Sequence, residues 1–154
     1  FSKDLLYNED LLTQTTARDT DDPSKFPRPH PSVDSSTFIA PNAFVNGWVE
    51  LASDVSIWPF ASVRGDLLKI SIGAQSNVQD NACLHTTASN ELSPQGFALS
   101  IGELVTIGHQ AVLHGCTIGN RVLIGIGAIV LDGATVEDEV LIGAGCVVPP
   151  GKHL

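Results

Sequence analysis

The chain has 154 residues, a formal net charge of −9, 16% charged residues and 43% hydrophobic ones. This length fits one domain with a hydrophobic core, and the acidic balance argues against nucleic acid and anionic membranes as partners, because their phosphates attract basic faces. No apolar run is long enough to form a transmembrane segment. The three cysteines, Cys83, Cys116 and Cys146, are an odd number in apolar contexts, so we expect reduced thiols that face the core.

The first 32 residues are interpreted as an irregular N-terminal arm or linker. They are acidic at first and then rich in proline, a composition that is typical of linkers. Four leucines, Leu5, Leu6, Leu11 and Leu12, allow one short amphipathic helix, and a solvated arm that touches a neighbour is the equal alternative. The chain contains no methionine, which leaves a removed leader and a fragment both open.

Aliphatic residues recur with a period of six over residues 33–148. The period fits neither a helix nor a simple alternating strand, and it favours short strands joined by tight turns, where small or polar residues meet the backbone demands. Three such units close one triangular coil of roughly 18 residues, and coils stack at about the strand spacing of 4.8 Å. Residues 33–154 are therefore predicted to form a parallel β-helix of hexapeptide repeats. The aliphatic residues that point inward are Val33, Ile39, Val45, Leu51, Ile57, Val63, Ile72, Val78, Leu84, Ile101, Ile107, Leu113, Ile118, Ile124, Val130, Val136, Ile142 and Val148.

Residues 86–100, TTASNELSPQGFALS, interrupt this repeat with polar and turn-forming residues. The segment is predicted to be a loop excursion from the coil, and such loops often border functional sites.

Two histidines fall at equivalent positions of hexads that are expected to stack. The hexads that start at Leu84 and Leu113 are three units apart, which is one full coil. His85 and His114 are the second residues of these hexads, so we expect them one above the other with outward side chains. Two imidazoles placed in this way can share one metal ion, whereas the alternative is that two ordinary surface histidines align by chance.

His109 is the third residue of a hexad on the adjoining face, so we expect it to point away from that pair. A threefold ring of chains would bring it to the histidine pair of a neighbouring subunit. Three imidazoles with one open position are typical of a catalytic zinc site.

Four segments resemble the γ-class carbonic anhydrases: VRGD at 63–66, NVQDNACLH at 77–85, IGHQAVLHGCTIG at 107–119 and IGIGAIVLDGATVED at 124–138. The family includes the γ-type subunits of mitochondrial respiratory complex I. The resemblance implies an all-β fold, a left-handed parallel β-helix, assembled as a trimer with a metal ion at each subunit interface. The handedness comes from the resemblance alone.

The resemblance also implies the roles of particular residues. His85 and His114 match the ligands from one subunit and His109 the ligand from its neighbour, for Zn²⁺ or, in some members, Fe²⁺ or Co²⁺. Arg64 and Asp66 match an ion pair at the trimer interface.

Two further residues match the substrate side of the family's site. Gln79 matches the residue that hydrogen-bonds the metal-bound water or bicarbonate, and Asp80 matches a polar residue beside it that helps to fix the site. The implied activity is hydration of CO₂ to bicarbonate by metal-bound hydroxide.

The chain departs from the family pattern at the residues that carry protons away. Highly active members have glutamates where this chain has Leu67 and Ala88, and Glu91 in the loop is the candidate substitute. Release of a proton to solvent needs such a group, so slow or absent hydratase activity stays open. The chain also stops at VVPPGKHL, where relatives continue into a C-terminal helix that is not seen in this sequence, which leaves a shortened chain and a missing C-terminal segment both open.

Two other functions are weighed against the enzyme. One is a structural subunit of the matrix module on the complex I membrane arm, with weak or no activity, as a homotrimer or as a heterotrimer with related γ-type subunits. The other is a hexapeptide acyltransferase, which uses a loop histidine, and residues 86–100 contain none. The expected compartment is the mitochondrial matrix side, with the cytoplasm as the alternative.

Overall fold

The structure, a computed structural model, describes residues 30–154, which form sixteen β-strands, most of them short, and no helix. The predicted all-β class is confirmed. Most of the predicted arm, with the helix considered around its four leucines, lies outside the described residues. The strands are β1 (Ser32–Val33), β2 (Phe38–Ile39), β3 (Phe44–Leu51), β4 (Ser56–Ile57), β5 (Ser62–Ile72), β6 (Asn77–Val78), β7 (Cys83–His85), β8 (Leu99–Ile101), β9 (Thr106–Ile107), β10 (Val112–His114), β11 (Thr117–Ile118), β12 (Leu123–Ile124), β13 (Ile129–Val130), β14 (Thr135–Val136), β15 (Leu141–Ile142) and β16 (Val147–Val148).

The strands stack as a parallel solenoid with three faces. The long strands β3 and β5 each run from the first face onto the second, so that one ten-stranded sheet covers both. The first face contains β7, β10, β13 and β16 beside the first halves of β3 and β5. The second contains β1, β8, β11 and β14 beside their second halves. A separate six-stranded sheet, in the order β15-β12-β9-β6-β4-β2, forms the third face.

The core is a set of aliphatic columns inside the coil. On the first face Val63 pairs with Leu84, Leu84 with Leu113, and Leu113 with Val130. All four side chains are fully buried, and burying each contributes roughly 1.5–3 kcal/mol to folding. The predicted parallel β-helix of hexapeptide repeats is confirmed, and the trimer stays a prediction.

The turns use left-handed backbone at a position that the sequence analysis did not identify. Asn81 and Gln110 both have φ of 60°, and each lies three residues before an inward leucine. Many of the inward aliphatic residues are followed directly by glycine, and these glycines meet a different structural requirement. A Cβ at Gly102 would lie 2.6 Å from the carbonyl oxygen of Gly119 in the next coil, so this glycine permits close stacking of coils rather than a turn.

The interruption after β7 is an ordered loop that returns to the coil at β8. Thr87 and Phe97 form an antiparallel bridge across it, with both backbone amides donating to the opposite carbonyl at 3.0 and 2.8 Å. The paired backbones of Thr87 and Phe97 thus form a closed neck, through which the loop leaves and re-enters the stack of coils. Residues 30–154 contain no helix that could cross a membrane.

The prediction of core-facing thiols is correct for one cysteine. Cys116 is buried, whereas Cys83 and Cys146 are exposed. Cys83 takes the outward position next to inward Leu84, because successive residues of a strand point to opposite sides.

Candidate metal centre

His85 and His114 lie side by side on the first face. They end β7 and β10 and are partners in the strand register, as the count of hexads predicts. His85 Nδ1 lies 3.1 Å from His114 Nε2, and the ring centroids are 5.1 Å apart with a T-shaped arrangement. Because Leu84 and Leu113 point into the core, the histidine that follows each of them points outward.

Asp66 and Arg64 extend this pair along β5. Asp66 Oδ1 lies 3.0 Å from His85 Nε2, and Arg64 Nη1 donates to Asp66 Oδ2 at 2.5 Å. The ion pair implied by the resemblance therefore forms within one chain. Whether it also supports a subunit interface stays a prediction.

The packing of His85 and Asp66 determines the direction in which the pKa of each is shifted. Burial lowers the pKa of His85 below its ordinary value, and the Arg64 charge acts in the same direction, against the hydrogen bond that His85 Nε2 donates to Asp66. Burial alone would raise the pKa of Asp66, but the hydrogen bonds from His85 and Arg64 outweigh it, so the pKa lies below its ordinary value. A neutral imidazole beside an ionised carboxylate is the arrangement that follows.

Two residues at this site were missed by the sequence analysis. Asp132 Oδ1 lies 2.8 Å from His114 Nδ1, and Thr87 Oγ1 donates to the same oxygen at 2.8 Å. Asp132 belongs to the next coil and faces Gly115, where an added Cβ would collide with its carboxylate. The signal was present in the sequence as an aspartate two residues after inward Val130, aligned with a glycine two residues after Leu113.

His109 lies apart from the histidine pair, at the corner after β9 on the third face. Its Nδ1 is 3.1 Å from Asp80 Oδ2, and its side chain is 48% exposed. It lines an open pocket of about 430 Å³ together with Ser56, Trp58, Asn77, Gln79 and Asp80. The structure thus brings Gln79 and Asp80 to His109 and not to His85 and His114.

The residues implied by the resemblance therefore form two groups on two faces. Within residues 30–154 of one chain, no three histidine, cysteine, aspartate or glutamate side chains gather closely enough to hold a metal ion. Yet each of the three histidines has an aspartate within 2.8–3.1 Å of one ring nitrogen. Histidines that bind metal ions commonly donate their second ring N–H to a carboxylate in this way, so all three could act as ligands.

The carboxylates expected near the site for proton release are not found at the aligned positions. Leu67, which follows Asp66, is an exposed apolar residue, and Ala88 is partly buried in the loop. Glu91 is exposed near the loop tip.

Similarity to proteins of known structure supports the same architecture. The family model described as bacterial transferase hexapeptide (six repeats) matches residues 115–150. A crystal structure of a hexapeptide transferase family protein from Anaplasma phagocytophilum is 41% identical, with a TM-score of 0.71, over 80% of this chain and 68% of that one.

Curated relatives match over the solenoid as well. Protein YrdA of Escherichia coli (strain K12) is 52% identical over 100 residues, which is 65% of this chain and 54% of that protein. Gamma carbonic anhydrase 3, mitochondrial, of Arabidopsis thaliana is 47% identical over 98 residues, which is 64% of this chain and 38% of that protein. The chain thus spans about half, or less, of the length of these two relatives.

Proposed function

The chain belongs to the hexapeptide transferase family, and from that premise we propose that it is a carbonic anhydrase-like metalloprotein of the γ class. Its ligands would be His85 and His114 of one subunit and His109 of a neighbouring one. The similarity to a mitochondrial gamma carbonic anhydrase directs the choice among the chemistries that this fold hosts.

One observation carries the proposal: two imidazole nitrogens face each other, and when both rings are neutral neither nitrogen carries a proton into the space between them. Asp66 engages Nε2 of His85 and Asp132 engages Nδ1 of His114, and a carboxylate can only accept a hydrogen bond. The remaining nitrogens, 3.1 Å apart, are then both lone-pair acceptors, which repel unless a cation joins them.

The separation of these nitrogens also suits one metal ion. Two nitrogens at 2.0–2.1 Å from a tetrahedral Zn²⁺ ion are about 3.3 Å apart, close to the observed 3.1 Å. Nitrogen ligands favour Zn²⁺, with Fe²⁺ or Co²⁺ as alternatives. The residues present therefore fit the ion that the family implies.

A second copy of the chain would complete the site. His109, Gln79 and Asp80 lie on the third face and the histidine pair on the first, so one chain offers two complementary half-sites. A contact that joins one patch to a different patch closes into a ring when the rotation allows it. Large exposed apolar residues occur on both faces, among them Phe44 and Val147 on the first and Leu123, Ile126 and Leu141 on the third. A trimer of identical or related chains would cover them.

The side chains would divide the work of CO₂ hydration among them. When bound, a divalent cation supplies Lewis acidity that brings the pKa of water toward neutrality. Asp66, Asp80 and Asp132 orient the three imidazoles, and the lowered pKa of His85, caused first by burial, keeps its ring in the neutral form that binds cations. The Gln79 carboxamide, in the pocket beside His109, is suited to hydrogen-bond an oxygen of CO₂ or bicarbonate.

A structural role is the second candidate, supported by the absence of a carboxylate at Leu67 and Ala88. Slow proton release would leave a metal site with little turnover. In that case the chain would serve in the membrane-arm module of respiratory complex I, on the matrix side. The named relatives are one bacterial and one mitochondrial protein, and we propose the mitochondrial matrix or the cytoplasm as the compartment.

The test compares metal content and CO₂ hydration of the full chain with those of His109→Ala. We expect about one Zn²⁺ per chain in the native protein, and loss of both metal and activity in the variant. His153→Ala is the matched control, because His153 also pairs with a carboxylate, Glu137, at 2.8 Å but lies away from both half-sites. Full metal occupancy in His109→Ala would overturn the intersubunit site, whereas metal without hydration would favour the structural role.

A further inference from the structure

Asp132 and Thr87 contact His114, although neither is among the residues that the resemblance implies. We propose that they are positioning residues that fix the Nδ1–H tautomer of His114, and that the loop of residues 86–98 therefore belongs to the metal centre. This inference rests on the proposed function, because it concerns which ring nitrogen of His114 is free to bind a cation.

The hydrogen bonds at Asp132 admit one arrangement of protons. Its Oδ1 lies 2.8 Å from both His114 Nδ1 and Thr87 Oγ1. An ionised carboxylate oxygen only accepts, so the imidazole and the hydroxyl both donate to it. His114 then carries its proton on Nδ1, and its Nε2 keeps a lone pair directed at the space beside His85.

Thr87 contacts both His114 and Asp132 and so restricts how these two side chains can be placed. Its Oγ1 is also 3.2 Å from His114 Nδ1, so the hydroxyl touches both members of the pair while its own proton is committed to Asp132. A second donor on the carboxylate restricts where its oxygen can lie. The ring N–H of His114 therefore meets two oxygens in fixed positions, Asp132 Oδ1 at 2.8 Å and Thr87 Oγ1 at 3.2 Å.

The loop holds Thr87 in place from both sides. The bridge to Phe97 fixes its backbone through two hydrogen bonds. Thr86, just before it, is fully buried and its Oγ1 accepts a hydrogen bond from the Leu68 amide at 3.1 Å. The closed neck of the loop therefore sets the position of the hydroxyl.

Phe97, on the returning side of the loop, lies against two glycines of the coil, Gly115 and Gly133. An added Cβ would lie 2.6 Å from Phe97 Cβ at Gly115 and 2.9 Å from Phe97 Cε1 at Gly133. These two glycines are in the coil of His114 and in the coil of Asp132, respectively. Phe97 thus spans the junction of the two coils that His114 and Asp132 join.

The inference is tested on the full chain by two readouts, with and without Zn²⁺. In the metal-free protein at mildly alkaline pH, ¹⁵N NMR of the histidine rings reports the tautomer directly, and we expect Nδ1–H at His114. Zinc affinity, measured by competition with a chromophoric chelator, should fall roughly 10- to 100-fold in Asp132→Asn and Thr87→Val, the range found for such supporting contacts. Thr87→Ser keeps the hydroxyl and should remain within about threefold of the native affinity.

Matched controls separate positioning from general damage. Asp138→Asn removes a carboxylate that accepts hydrogen bonds from Asn120 in another turn, and Thr117→Val removes an exposed strand hydroxyl. Both should bind zinc like the native chain. The two hypotheses fail in different ways: a native chain that binds no zinc overturns the proposed function, whereas Nε2–H at His114, or unchanged affinity in both test variants, overturns this inference.

Discussion

A carboxylate on one ring nitrogen does not by itself make a histidine a metal ligand in this chain. His153 has such a partner in Glu137, but both side chains are about two-thirds exposed. What distinguishes His85 and His114 is that their other nitrogens converge at 3.1 Å. At the scale of single residues, contacts at both ring nitrogens thus mark His85 and His114 as candidate ligands.

Burial of Cys116 leads to a prediction about thiol reactivity. Burial raises the pKa of this thiol to about 12, from an ordinary value of 9.0. Because only the thiolate is nucleophilic, iodoacetamide should modify exposed Cys146 in the folded protein and spare Cys116. Peptide mass spectrometry after alkylation checks this, and modification of Cys116 at the rate of Cys146 would contradict the buried environment.

The same shift implies a loss of stability in alkali. The unfolded thiol ionises near 9 and the folded one near 12, so unfolding releases a proton between these values and the free energy of unfolding falls as pH rises. Chemical unfolding across this window should show a shallower fall in Cys116→Ala than in the native chain, while Cys146→Ala keeps the native slope.

The sequence predicts the histidines of the candidate site but not the contacts that Asp132 and Thr87 make with His114. His85 and His114 follow from counting hexads, because the strand register preserves that count. Asp132 does not follow from that count, because Leu113 and Val130 pair across only 17 residues, one fewer than in a regular coil of three hexads. The contact of Thr87 depends on how the loop closes, which no periodic pattern encodes.

At the scale of the strand and turn, the closeness of successive coils determines which residues follow the inward aliphatic ones. Gly125 and Gly143 occupy the same position after β12 and β15, on the third face. A Cβ at Gly125 would lie 2.5 Å from the backbone nitrogen of Ala144, whereas one at Gly143 would meet only the Cys146 sulfur at 3.3 Å. The same substitution should therefore have different costs at the two positions.

We predict that Gly125→Ala lowers the free energy of unfolding by roughly 1–3 kcal/mol, as overpacking against fixed backbone does. Gly143→Ala should change it by less than about 0.5 kcal/mol, since a cysteine side chain can move aside. Urea unfolding of both variants under one condition provides the comparison. Equal destabilisation of the two would mean that coil spacing is not what requires glycine.

The repeat made the strands and the core predictable, whereas it did not identify the turn position that takes left-handed backbone. Inward aliphatic residues such as Ile107 and Ile124 are recognisable because their period is six. The left-handed turn residue is often not glycine, as at Gln110, so composition did not mark it. Glycines directly after an inward residue, such as Gly125, serve the contacts between coils, whereas others, such as Gly127 with a φ of 65°, adopt the left-handed backbone of a turn.

At the scale of the whole molecule, the separation of the half-sites has a consequence for mixed assemblies. In the proposed ring, each site joins the first face of one chain to the third face of the next. His109→Ala damages the third face, and His114→Ala damages the first. A chain of one kind can then complete a site with a chain of the other.

Co-assembly of these two inactive variants should therefore restore activity. In random trimers from equal amounts, about three quarters are mixed and each regains one site of its three, so about a quarter of native metal and activity should return. Mixing His85→Ala with His114→Ala is the control, because both damage the same face and no junction is intact. Recovery in the control, or none in the test mixture, would contradict an interface shared in this way.

The closed neck between Thr87 and Phe97 also bears on how this protein can change over evolutionary time. Leu84 and Leu113 pair across 29 residues, although they occupy adjacent coils on the first face. Residues beyond the neck, such as fully exposed Leu92, add length without shifting any strand against its neighbour. Insertions, deletions and substitutions at the tip of this loop should therefore leave the stacked coils unchanged. A peptide tag inserted there should be tolerated for the same reason.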